Sequence, residues 1–259
     1  MAEQPHPPHA ADSTHDGARA GSGGDVRGCA TASPQDRAGD DAAYRAAVVD
    51  LLGALAYGEL TAFSRLAADA DLAPTQPYKA ALAGLAVAEF HHYEALTASL
   101  GEMGVDPEEA MAPFIAPIDA FHDRTRPTGW LEGLVKAYVG DGIATDFYRE
   151  ISAYVDPATQ NLVRSVLQDV GQAEFAVRAV REAIAADPRI AGRLALWGRR
   201  LVGEALSQAQ RVAVERDALA SLLVGGHNRP GADLAELGRM FARLTDEHTR
   251  RMARLGLSA

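Results

Sequence analysis

A single cysteine, Cys29, occurs among 259 residues. One thiol excludes an internal disulfide, so no covalent crosslink staples this fold, and a reducing, cytoplasmic setting is the expectation. Aromatic residues are scarce, at 6%, which argues against a β-sandwich, whose strands draw on aromatic and β-branched side chains. No uninterrupted apolar run reaches the roughly 18–20 residues that cross a bilayer. The N-terminus also lacks a basic segment followed by an apolar one, so no membrane partner is expected. Positive charge is in short supply too: 25 Lys+Arg stand against 35 Asp+Glu, a net charge of -10. That balance disfavours general nucleic-acid binding. The cations are unevenly spread, because residues 187–259 hold 12 arginines against 8 acids, a net of +4 that leaves -14 for the rest. Arg193, Arg199, Arg200, Arg211, Arg216, Arg239, Arg243, Arg250, Arg251 and Arg254 read first as solvated helix faces, with a phosphate-binding surface as the alternative.

What the chain does have is Ala and Leu at helical spacing, within 47% apolar residues. Residues 1–39 are rich in Pro, His, Gly, Asp and Ser without an apolar period, and are expected to form a disordered tail in which His6, His9 and His15 have no fixed geometry. From Asp40, Leu52, Leu55, Ala56, Ala62, Phe63 and Leu66 repeat at i, i+3, i+4 and predict a helix to about Ala70, with Glu59 inside the stripe. Thr75 and Pro77 open a second helix that closes near 101–104. Asp106-Pro107-Glu108-Glu109 is a helix start, and Pro113 and Pro117 predict a broken crossover over 106–126. Further helices are expected over 129–154, 156–186, 187–224 and 233–255, the last two separated by a loop at 225–231, with no strand. The predicted class is all-α: an antiparallel four-helix bundle over about 45–185, with a broken crossover and two additional C-terminal helices over about 187–255, forming one domain from 40 to 259.

Chemistry enters at Ala88-Glu89-Phe90-His91-His92-Tyr93-Glu94. Glu89 and His92, three apart, share a helix face with Leu82, Leu85, Ala86, Tyr93 and Leu96. A carboxylate and an imidazole turned into an apolar interior are costly unless something pairs them. The two halves also echo each other, since Glu59 precedes Glu89 by 30 residues and Asp146 precedes Glu174 by 28. With ~1.5 Å of rise per residue, such spacings carry the four acids to comparable depth in two helical hairpins. Four acids converging in a dry core repel unless cations join them, which makes a carboxylate-lined metal site the sharpest reading.

The stretch Glu89-Phe90-His91-His92-Tyr93-Glu94 resembles the Glu-Leu-His-His-Phe-Glu stretch of the MiaE-like tRNA hydroxylases, a branch of the ferritin-like di-iron superfamily. Residues 141–148 are similar to that family's third-helix segment, which has a Glu where this chain has Asp146. The resemblance covers roughly 45–185. It implies a ferritin-like fold, a di-iron centre held by Glu59, Glu89, His92, Asp146 and Glu174, and O2-dependent hydroxylation supported by an electron donor. A modified tRNA nucleoside is then the implied substrate, with the Arg-rich C-terminal helices as its phosphate contact. One position departs: the family's fourth helix carries its own Glu-x-x-His, whereas Val177 stands three residues after Glu174. The second iron would lack its histidine. The alternative is therefore a ferritin-like scaffold with a weakened or absent metal site, acting through protein contacts or iron binding. Asp141 is an alternative third ligand and Glu204 a possible substitute, while Tyr93, Tyr138 and Tyr148 are rim aromatics, Trp130 and Trp197 packing residues, and Glu247-His248 a surface pair.

Overall fold

A computed structural model describes residues 34–168, 172–225 and 231–259. The tail through Ser33, with its histidines and Cys29, and most of the 225–231 loop lie outside the described residues. Pro34–Ala259 form one compact unit of helices, with no strand among the described residues. In chain order these are α1 (Pro34–Ala70), α2 (Gln76–Glu102), α3 (Pro107–Arg124), α4 (Trp130–Ser152), α5 (Pro157–Val166), α6 (Gln172–Ala186), α7 (Ile190–Glu215), α8 (Asp217–Val224) and α9 (Leu234–Leu255).

Local chemistry explains most boundaries. The side chains of Thr75, Asp106, Asp156 and Asp233 each accept from a backbone N–H of the following first turn, at Tyr78, Glu108, Ala158 and Glu236. Pro77, Pro107 and Pro157 sit in the first turn, where a missing N–H costs nothing. Gly256, at φ 79°, ends α9 in the left-handed region.

Four expectations change. α1 begins at Pro34, inside the stretch read as tail. The expected broken crossover is one helix, α3, running through Pro113 and Pro117. An interior proline costs about 3 kcal/mol, and burial offsets that cost here: Ala110, Met111, Phe114 and Pro117 are all buried. The close approach of α1 to α3 depends on Gly53, since a Cβ there would lie 2.7 Å from the Ala110 carbonyl carbon. The predicted fourth helix is two, α5 and α6, with the break after Leu167. The fifth is also two, because Arg216 leaves helical geometry (φ -127°, ψ 79°), and its guanidinium caps Asp50 of α1, which is 4% exposed.

α1 and α2 pack as a hairpin, and α4 packs against α5, α6, α7 and α9. The segment from Asp40 to Ala70 is one helix long and apolar enough to span a bilayer, and half of its apolar window is buried in the core. The core itself divides in two. One cluster joins Leu66, Leu82, Ala86, Leu134, Val139, Val180, Leu201 and Met252. The other joins Leu52, Leu55, Leu96, Leu100, Phe114, Ile151, Val163 and Leu222. On α1, α2 and α4 the gap between the clusters falls at 57–65, 87–95 and 140–150, and Glu59, Glu89, His92 and Asp146 all lie in it. These four residues form a polar waist between two apolar ends.

Candidate metal centre

Helix geometry brings Glu89 and His92 together one turn apart, and the α1–α2 hairpin adds Glu59 from the facing helix. One ligand atom from each of the three lies within 4.8 Å of the other two. His92 Nδ1 stands 3.4 Å from Glu59 Oε2 and 3.4 Å from Glu89 Oε2. Donors placed about 2.1 Å from one ion are about 3.0–3.4 Å apart at bond angles near 90–110°, so these three fit a single divalent cation with little movement. The Glu89 side chain is 6% exposed, Glu59 12% and His92 17%. His92 Nδ1 is buried, with the two carboxylate oxygens at 3.4 Å as its polar neighbours and no closer hydrogen bond, a position that a metal bond would satisfy.

Protons take the cation's place when none is bound. Burial pushes the Glu59 carboxyl well above the usual range, His92 opposes that, and the Glu89 and Asp141 carboxylates add to it. The carboxylates of Glu59 and then Glu89 raise His92 to about 10, against its partial burial. A metal ion would compete with the proton that these carboxylates favour on His92.

The other two expected ligands are elsewhere. Asp146 is buried, 9% exposed, and its carboxylate accepts from Arg251 Nη2 of α9, with Arg149 Nη1 at 3.4 Å. Arg251 is itself only 11% exposed. It lies over Gly142, where a Cβ would come within 2.5 Å of its guanidinium carbon. Glu174 turns away from the waist: its side chain is 77% exposed and pairs with Arg254. It stands in the first turn of α6. Val177 packs against the apolar cluster. Four-carboxylate convergence is thus replaced by a three-residue group and a neighbouring guanidinium–carboxylate pair.

Other sequence readings resolve similarly. Asp141 borders the site closely enough to raise Glu59. Glu204 pairs with Arg124 at 3.4 Å. Trp197 is a packing residue whose Nε1 donates to the Glu132 carbonyl. His248 is buried, 6% exposed, whereas a surface position was expected. Tyr148 has its hydroxyl kept protonated by burial and by Glu59; its role was legible only as a generic rim aromatic.

Two cavities meet at the waist. A polar one of about 270 Å³ is lined by Glu59, Glu89, His92, Asp146, Arg251 and Arg254. An apolar one of about 480 Å³ runs between α1, α3, α4, α7, α8 and α9, with Leu55, Phe114, Ile143, Tyr148 and Leu223 in its wall. Glu59, Glu89 and Asp141 line both. The larger volume is that of a small-molecule site, apolar with a few polar groups.

No curated protein matches the chain. A family model described as a ferritin-like domain of actinomycetes matches residues 42–226, which include all of the waist except Arg251 and Arg254 from α9. The all-helical architecture agrees with it, and the chain belongs to that ferritin-like family.

Proposed function

We propose that the chain is a ferritin-like oxidoreductase with one metal ion, iron by preference, that oxidises an apolar substrate with O2. The observation carrying this reading is the group of Glu59, Glu89 and His92, whose acids also face an apolar chamber. Two carboxylates and one imidazole are donors suited to iron or manganese. The resemblance of residues 89–94 to the MiaE-like hydroxylases supports the reaction class. Bound iron would supply redox chemistry toward O2. The protein's own part is to hold it from two adjacent helices, to give up the His92 proton on binding, and to keep water from the reacting carbon with the chamber's apolar wall. Tyr148 keeps a phenolic proton in that wall beside Glu59.

A single ion is proposed because the second position is already neutralised. Arg251 gives Asp146 its positive partner, Val177 offers no donor and Glu174 faces solvent. The ten C-terminal arginines named above all meet carboxylates or backbone carbonyls of the chain itself. A phosphate contact would have to displace those partners, and the proposal stops at the reaction class. The same three departures support a second reading, a metal-holding scaffold without turnover.

Metal analysis of the full-length protein loaded with Fe(II) tests the first point. One ion per chain, lost in Glu89→Gln and His92→Gln, is expected. Two ions per chain, or retention in both variants, would overturn it. O2 uptake above the free Fe(II) rate separates the enzyme from the scaffold.

A further inference from the structure

The end of the apolar cavity away from the acids is built from a second set of charged groups. Gly58, Ala62, Arg65 and Asp69 follow one another along α1 at helical spacing and line it, with His122 of α3 and Lys136 of α4 opposite. Lys136 is 7% exposed; its ammonium donates to the Thr125 carbonyl at 2.8 Å and lies 5.5 Å from the centre of the Phe121 ring. His122 Nδ1 is buried without a partner. Arg65 is exposed on α1, one turn before Asp69, where its charge partly offsets the rise that burial imposes on the Asp69 carboxyl. Asp69 is the one acid among them. Two cations, one acid and a histidine that burial holds neutral leave this end net positive. Arg65 is six residues from Glu59, about 9 Å along the helix. A cavity of that kind, apolar in its body with the buried Lys136 and the exposed Arg65 at one end, complements an amphiphile of opposite charge.

We propose that this cavity binds a monocarboxylate with an apolar tail, its head meeting Arg65, Lys136 and His122 and its tail passing Glu59 and Glu89. The carboxylate would accept from N–H groups of Arg65 and Lys136. It would also ease the cost of keeping Lys136 charged, since burial and then Arg65 lower that ammonium to about 8. The proposal deepens the oxidoreductase reading by naming its substrate class, and rests on that reading only for what happens to the tail.

Calorimetric titration of the full-length protein with decanoate and with decanol, in buffer containing EDTA, tests it. Decanoate is expected to bind one per chain and at least ten-fold more tightly than decanol. Arg65→Gln, on an exposed position of α1, is expected to keep its helical circular dichroism and to bring decanoate down to the decanol level. Equal affinity for the two probes, or an unchanged preference in folded Arg65→Gln, would overturn the proposal. Because the titration excludes metal, such a failure leaves the metal reading intact, and metal retention in Glu89→Gln would leave this one intact.

Discussion

Replacing Arg251 by glutamine should destabilise the protein strongly although the residue belongs to neither apolar cluster. Arg251 and Asp146 are each 11% exposed at the side chain, and the guanidinium is held against the carboxylate across α9 and α4. Removing one member of a buried ion pair costs about 3–5 kcal/mol, because the other charge stays desolvated and unpaired. Arg149 recovers part of that: it lies 3.4 Å from Asp146, but at 60% exposure it contributes about 0–1 kcal/mol. The net loss is about 3 kcal/mol. At about 2–4 °C per kcal/mol for a chain of this size, Tm should fall by roughly 6–12 °C. Asp146→Asn should cost a similar amount by stranding the guanidinium, whereas Arg251→Gln with Asp146→Asn leaves two neutral amides in place of the ions. Thermal unfolding of the four proteins, followed by circular dichroism, gives the coupling directly, and about 2–3 kcal/mol is expected. Additivity within about 0.5 kcal/mol would refute the view that Arg251 is the cation that Asp146 requires.

Three further outcomes follow from the same geometry. Gly142→Ala should gain about 1 kcal/mol of helix propensity yet lose more by displacing the Arg251 guanidinium, whose carbon would lie 2.5 Å from the new Cβ; a variant more stable than wild type in urea would show that the guanidinium is not seated there. Val177→His should leave metal content at one ion per chain, since Arg251 and the outward Glu174 still deny a second ion its carboxylates; a second bound ion by elemental analysis would contradict this. Asp156 should make stability pH-dependent at the acid end. Burial would raise its carboxyl, but the hydroxyl and backbone N–H of Thr159, with the Tyr44 hydroxyl, outweigh that and hold it down at about 2. A depressed carboxyl stabilises fully above its ordinary value near 4 and loses that contribution as pH falls toward 2. Urea midpoints of Asp156→Asn, against wild type at pH 7, 4 and 2, should show the difference shrinking across that window, and Asp156→Ala should cost about 1–2 kcal/mol at pH 7 as a lost N-cap.

Much of this was legible in the sequence. The caps at Thr75, Asp106 and Asp156 mark helix starts that the structure keeps, because capping depends on residues within one turn. The Glu89–His92 pairing follows from an i, i+3 step alone, and Glu59 follows from a tight hairpin of fixed rise. Proline spacing misled at α3, where burial against Gly53 of α1 outweighs a local penalty. His248 reads as surface in the sequence because Glu247 beside it is charged, yet it lies on the buried face of α9.

The sequence by itself determined that the chain is helical, where most helices begin, and that one carboxylate–imidazole pair would share a face with apolar neighbours. Those properties depend on dihedral preferences and on periods of a few residues. Only the tertiary structure decided which acids gather at the waist and which pair with arginine. Arg251 reaches Asp146 across 105 positions of sequence, and Glu174, in the first turn of α6, faces solvent beside Arg254. Pairing across helices is set by axial rotation and by which side chain fills a given volume, and neither is encoded in the spacing of residues along a single helix.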